Sequence, residues 1–441
     1  MEQRRKNLTQ LFIPICLETL LYMLSGMVDT LMLSSVNDQA VGAVGTANTY
    51  IGIFIIMFSV ISSGMVAVMT QNIGAGRPGV AYQARQLGLA FNAVLGIILS
   101  LILAFGAGTI LAGVGVADAL MQPARTYLQI VGGFCILNAL IPICSSYLRA
   151  FGFSKEPLYA SIIGNVINFC LNAFFLFVLH KGVAGVATAT VVSRIINLVI
   201  VVMLGAVLVK AKQHPERESN REVMGQIIRI GLPSACETAI YNVSMTLVIR
   251  FLNQMDAQGL NVTARSYTMQ ITNFSYCVGA ALAQANAIMT GWRIGAKEYD
   301  ACDRGTRKAA IIGVIVAVIL ETMFALCSGW IMQLFSKDPQ MVSLVGKLLA
   351  IDIVLEMGRV TNLVYGQALK TSGDAVFPVV IGACFMILCS VGGTYLFGIR
   401  LGLLAVGAYI GMAGDECVRA IGMYLRWKSG KWKQKGLVKS R

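Results

Sequence analysis

Pro14-Ile-Cys-Leu-Glu-Thr-Leu-Leu-Tyr-Met-Leu-Ser-Gly-Met-Val-Asp29 decides the reading of this chain. The stretch lies in an apolar run long enough to cross a bilayer, yet it carries Glu18 and Asp29. At 3.6 residues per turn, Glu18, Tyr22, Ser25 and Asp29 fall at i, i+4, i+7 and i+11, on one stripe of a helix. A soluble amphipathic helix would show the same stripe. The rest of the chain decides against it, because Pro14, Glu18, Thr19, Tyr22 and Ser25 recur in order and spacing as Pro233, Glu237, Thr238, Tyr241 and Ser244. The chain therefore reads as a duplication, with acidic groups in matching apolar helices.

Composition sets the solvent. Only 13% of the 441 residues are charged, 56% are hydrophobic, and the mean hydropathy is +0.72. Soluble domains carry about a quarter charged residues, so the expected class is an all-α polytopic membrane protein whose main partner is the lipid bilayer. The net charge of +14 does not imply a nucleic-acid partner, since Lys and Arg sit in loops and at the C-terminus, where the positive-inside rule accounts for them. The eleven Cys show no metal-type spacing and read as small reduced packing residues. The N-terminus imitates a signal peptide, but Glu18 and Asp29 interrupt its apolar region and no small-x-small site closes it, so it reads as an uncleaved first helix.

A spanning helix needs about 20 apolar residues, and twelve such segments fit. They lie near 11–33, 40–72, 86–115, 122–148, 157–179 and 183–209, then 226–252, 259–291, 307–335, 340–369, 375–397 and 401–426. The domain division is 1–209 for an N-terminal six-helix lobe, 210–225 for a polar cytoplasmic linker, 226–426 for a C-terminal six-helix lobe, and 427–441 for a basic cytoplasmic tail. Arg4, Arg5, Lys6, Arg77, Arg85, Arg149, Lys155, Lys210, Lys212, Arg217, Arg221, Arg293, Lys297, Arg304, Lys439 and Arg441 are among the bases on one set of loops and the termini. Both termini are accordingly assigned to the cytoplasm. Six spans followed by a cytoplasmic linker make the two halves parallel repeats. The repeat continues as Ile73–Gly76 against Ile294–Lys297, and as Gly182–Ala187 against Gly402–Gly407.

These residues, with Leu148–Gly152, Asn168, Gly182–Thr190, Ser372–Asp374, Asp415, Glu416 and Arg419, resemble the multidrug and toxic compound extrusion family over essentially the whole length. The resemblance implies two six-helix lobes forming a V around a central cavity. It also implies exchange of a cytoplasmic organic cation for Na⁺ or H⁺ without ATP, no cofactor, a monomer, and residence in the cytoplasmic (plasma) membrane. Positions matching Asp29, Asn168, Asn172 and Thr190 would bind the coupling ion. The family's prokaryotic members often carry Asp where this chain has Asn172, and Arg194 stands one turn beyond Thr190.

A charge at the bilayer centre costs roughly 2.5–3.5 kcal/mol on insertion scales, so each one needs a partner or a wet cavity. The charged residues assigned to spans are Glu18, Asp29 and Arg194, then Glu237, Glu321, Asp352, Glu356, Arg359, Asp415, Glu416 and Arg419. Asp352, Glu356 and Arg359 share a stripe and Asp415 and Arg419 lie at i, i+4, so simple intrahelical pairing competes with function there. Glu18, Asp29 and Glu237 read as isolated carboxylates able to take up a proton or cation. Pro14 and Pro233 each remove a backbone donor, either kinking a moving helix or sitting harmlessly in a first turn. Asn165, Asn168 and Asn172 share one face of the fifth span, and Thr190, Arg194 and Asn197 one face of the sixth. Oxygens of Asp29, Asn168, Asn172 and Thr190 suit a hard cation such as Na⁺. Arg194 cannot be deprotonated and needs an anion, so it is expected to pair with Asp29 in at least one conformation. The ion-coupling candidates are thus Asp29, Asn168, Asn172, Thr190 and Arg194. Glu18, Glu237, Asp352 and Glu356 serve coupling or substrate, and Tyr22, Tyr241 and Tyr267 are candidates for a cavity lined for lipophilic cations.

With two His, and no Walker, Gly-x-Ser-x-Gly or His-Glu-x-x-His motif, neither an enzyme nor an ATP-driven pump is expected. The competing reading is a flippase for lipid-linked saccharides of the same broad superfamily, for which Arg194, Arg359 and Arg419 would serve an anionic headgroup.

Overall fold

A backbone in lipid has to satisfy its own hydrogen bonds, and helices do so locally. The computed structural model describes residues 6–438 except 36–37, 114–115, 117, 211–213, 257–258 and 334, and shows no strand among them. Arg4, Arg5, Lys212, Lys439 and Arg441, used above for orientation, lie outside the described residues. The helices are α1 (Leu8–Ser34), α2 (Asp38–Gly74), α3 (Pro78–Gly113), α4 (Asp118–Tyr127), α5 (Ile136–Ala150), α6 (Lys155–Ala173) and α7 (Gly182–Leu208). They continue as α8 (Asn220–Met255), α9 (Leu260–Gly295), α10 (Tyr299–Leu326), α11 (Ser328–Met332), α12 (Pro339–Ser372), α13 (Val376–Phe385) and α14 (Leu404–Lys428). The chain is an all-α polytopic membrane protein. Seven described helices are long and apolar enough to cross a membrane, and the α4–α5 pair, bent by 43°, makes an eighth. The remaining four expected spans fall on α8, α9, α12 and α14, which are long enough but more polar, α12 and α14 through their charges and α8 and α9 chiefly through uncharged polar side chains.

Contacts divide the chain into two compact units, Met1–Gly231 and Leu232–Arg441. In the first, α1 packs on α6, α6 on α7, and α2 and α5 on α3. The polar residues 214–219 belong to this unit. Gln83 donates to the Glu218 carbonyl at 2.7 Å and accepts from its amide at 3.1 Å, while Arg77 pairs with the Glu218 carboxylate at 2.6 Å. In the second unit, α12 is the hub, packed against α9, α10 and α14. A Cβ at Gly358 would stand 2.7 Å from the Cys417 backbone nitrogen. Only glycine lets α12 and α14 approach so closely, and that approach sets Glu356 and Arg359 beside Glu416 and Arg419. Residues 427–438 fold back: Trp432 stacks on Trp427 at 4.1 Å, and the Trp427 indole donates to Asp303 at 2.8 Å.

Backbone geometry repeats between the units. Gly76 and Lys297 are both left-handed (φ 74° and 60°), as are Gly152 and Gly373 (87° and 99°). His180 and Gly182 (49° and 53°) match Gly402 and Leu404 (67° and 53°). This corrects the register read from sequence, which paired Gly182 with Gly402: the structural match is Gly182 with Leu404, the first residues of α7 and α14. The same register sets Gly185 against Phe175 and Gly407 against Phe397. Glycines recur often enough here to align in more than one register, and only the contacts choose between them. Pro14 and Pro233 both lie well inside α1 and α8, which excludes the first-turn reading.

Candidate functional site

In the first unit, α1, α2, α4, α5, α6 and α7 line a cavity of about 520 Å³. Its wall includes Glu18, Tyr22, Asp29, Asn168, Thr190 and Arg194. Asn172 stands directly behind. Its amide nitrogen donates to Asp29 Oδ1 at 2.7 Å and to Asn168 Oδ1 at 3.2 Å, whereas its own Oδ1 is buried without a partner. One donor thus draws two oxygens together, as a cation would, and a turn of the amide would offer a third oxygen. Thr190 donates to the Val186 carbonyl at 2.9 Å and keeps its lone pairs for other partners. Arg194 faces the same cavity and makes no ion pair with Asp29 or any other described carboxylate.

Glu18 and Glu237 are not isolated, which corrects the sequence reading. Arg149 Nη2 lies 2.6 Å from Glu18 Oε2, and Ser161 donates to Glu18 Oε1 at 3.4 Å. Lys370 Nζ lies 2.6 Å from Glu237 Oε2. Arg149 and Lys370 precede the matching left-handed Gly152 and Gly373, so the duplication carries the ion pair as well as the acid. Sequence treated Arg149 as a loop charge and did not single out Lys370; both long side chains fold back onto the helix bundle instead.

The second unit holds a cavity of about 410 Å³ whose lining includes Glu237, Tyr241, Arg265, Asp352, Arg359 and Glu416. Arg359 pairs with Glu356 on its own helix and approaches Glu416 at 3.5 Å. Arg419 pairs with Asp415 at 2.9 Å and with Glu416 at 2.8 Å, Ser390 donates to Asp415 at 2.9 Å, and Asn362 donates to Glu416 at 3.1 Å. The i, i+4 pairing of Asp415 with Arg419 is therefore realised. Among the described residues Asp352 joins no ion pair, although it shares a helix face with Arg359.

The structure thus gathers Asp29, Asn168, Asn172, Thr190, Arg194, Glu18 and Tyr22 in the first unit, and Glu237, Tyr241, Asp352 and Glu356 in the second. Tyr267 is placed elsewhere: it packs on Phe335 at 5.4 Å against the apolar core. Arg265 was missed. It lies on α9, lines the second cavity and makes no ion pair among the described residues, and an Arg well inside a 36-residue helix whose other Arg, Arg293, sits in the last turn was the available signal. Tyr127 and Asn48 also line the first cavity. Nothing in their local sequence distinguishes them from packing residues.

The MatE family model matches residues 14–174 and again 233–396, opening each time on the proline of the repeated stretch. The chain is 34% identical to the "Uncharacterized transporter YisQ" of Bacillus subtilis, over 96% of this chain and 94% of that protein. It is 24% identical to the "Probable multidrug resistance protein NorM" of Thermotoga maritima, over 98% and 94%. A multidrug resistance MATE family transporter solved in an outward-facing conformation superimposes with a TM-score of 0.87 at 18% identity, covering 98% of this chain and 96% of that one. Two matched repeats, polar cavities walled by membrane-length helices, and identity with relatives sustained along almost the full length make this chain a membrane transporter of the MatE family.

Proposed function

We propose that the protein exports organic cations from the cytoplasm across the plasma membrane by alternating access, in exchange for Na⁺ or H⁺. The observation that carries this reading is the Asp29–Asn172–Asn168 arrangement on the wall of the first-unit cavity. Asp29 is a carboxylate reached from a cavity and held by an amide rather than by a base, so it is free to take up a cation or a proton. With Asn168, Asn172 and Thr190 it offers the oxygen ligands Na⁺ prefers. Arg194 facing the same cavity supplies a repulsive partner that favours release. Family relatives that carry multidrug resistance in their names support export of organic compounds. The test is ethidium efflux from everted vesicles driven by a Na⁺ or a pH gradient. Wild type is expected to respond to one of them and Asp29→Asn to neither. Full gradient-driven efflux by Asp29→Asn overturns the assignment.

A second reading, a flippase for lipid-linked saccharides, is favoured by one feature: Arg194 and Arg265 each face a cavity without an ion-pair partner among the described residues. Ethidium accumulation in cells with and without the protein separates the two, because a flippase leaves it unchanged.

A further inference from the structure

Glu321 on α10 meets Asp352 and Glu356 on α12. One oxygen of each lies within 4.8 Å of the others, and all three side chains are buried. Arg359 balances Glu356. Among the described residues Glu321 and Asp352 have no ion pair, and both Glu321 oxygens, Asp352 Oδ2 and Glu356 Oε2 are shut from solvent without a hydrogen-bond partner. Ser275, on α9, adds an independent observation. It is 1% exposed, and its unpartnered hydroxyl is aimed at the Glu321 carboxylate. Asp352 also lines the 410 Å³ cavity, which connects the cluster to a route in.

Two unbalanced buried carboxylates are costly while ionised, and that cost is relieved either by protons or by a cation that joins them. Hard cations bond oxygen at about 2.3–2.6 Å, so ligands up to 4.8 Å apart are within reach of one ion between them. The donors are carboxylate and hydroxyl oxygens, which suit calcium or manganese rather than thiophilic metals. We propose that Glu321, Asp352, Glu356 and Ser275 form a buried site for a hard divalent metal cation. Two unbalanced negative charges match a divalent ion and leave a monovalent one a charge short. The site is distinct from the ion-coupling residues of the first unit and does not depend on the transport reading.

The experiment uses the full-length protein in detergent, stripped with a chelator and held in excess NaCl to fix ionic strength and saturate monovalent sites. Mn²⁺ is titrated in, and free Mn²⁺ is read by electron paramagnetic resonance. Wild type is expected to take up Mn²⁺ saturably, with Ca²⁺ displacing it, and Glu321→Gln to weaken that binding by about tenfold or more. No saturable uptake by wild type overturns the site, and so does unchanged affinity in Glu321→Gln. Should that variant not fold, Ser275→Ala carries the comparison, with a several-fold loss expected and unchanged affinity overturning the proposal. Transport is not read, so failure here is distinguishable from failure of the export assay.

Discussion

Glu237 and Lys370 lie 2.6 Å apart with side chains only 15% and 14% exposed. Removing one member strands the other, which for a fully buried pair costs about 3–5 kcal/mol; some solvent access reduces this to about 2–3 kcal/mol. Glu237→Gln should therefore lower the melting temperature in detergent, and the double change Glu237→Gln with Lys370→Met should recover most of the loss. Export should stay impaired in both, because the acid faces the cavity. A double variant that regains stability and export together would reduce Glu237 to a fastener. At the same scale, Arg194→Gln removes the positive charge facing Asp29, Asn168 and Thr190. If that charge favours release, the variant should hold the coupling cation more tightly and turn over more slowly, read as a lower half-saturating cation concentration for efflux. An unchanged half-saturation would remove Arg194 from the coupling site.

Among the elements, α12 carries more of the charged residues at the second cavity than any other: Asp352, Arg359 and Lys370 line it, and Glu356 lies on the same helix. Its contact with α14 runs through Gly358, where a Cβ would stand 2.7 Å from the Cys417 nitrogen. Gly358→Ala should force the helices apart and cost about 1–3 kcal/mol, as overpacking does, while loosening Arg359 from Glu416. Gly366 on the same helix is the control, since its Cβ would meet nothing closer than 3.9 Å. A melt of both variants in detergent should show a drop for the first and almost none for the second. Equal shifts would mean that helix propensity, not the crossing, is being measured. Of the four helices that do not pass as apolar spans, α12 and α14 are the two made polar by their charges. Their charges pair across this crossing, which is how a polar helix becomes tolerable in lipid.

For the molecule as a whole, the distribution of Lys and Arg leads us to propose that both termini face the cytoplasm. A fluorescent protein fused after Arg441 should be bright, and a phosphatase that needs the extracytoplasmic side should be inactive at the same position. The opposite pattern would invert the topology and with it the direction of export.

Periodicity and duplication were legible in the sequence because they are local or additive properties. The stripe through Glu18 and Asp29 follows from helical spacing, the membrane class from composition, and the duplication from recurrence of Pro14, Glu18 and Tyr22 as Pro233, Glu237 and Tyr241. The family resemblance placed Asp29, Asn168, Asn172 and Thr190 in one site; Asp29, Asn168 and Thr190 line one cavity, and Asn172 stands behind it, hydrogen-bonded to Asp29 and Asn168. Tertiary structure alone decided which charges face each other. Arg149 and Lys370 sit far along the chain from Glu18 and Glu237, and a flexible side chain is free to turn toward lipid surface or helix bundle, so no spacing rule assigns them. Tyr267 went to the core rather than a cavity because Phe335 is there to receive it. The meeting of Glu321 with Asp352 and Glu356 depends on how two helices are packed together. That packing is set by the shapes of all the side chains between them, and no single stretch of sequence holds it.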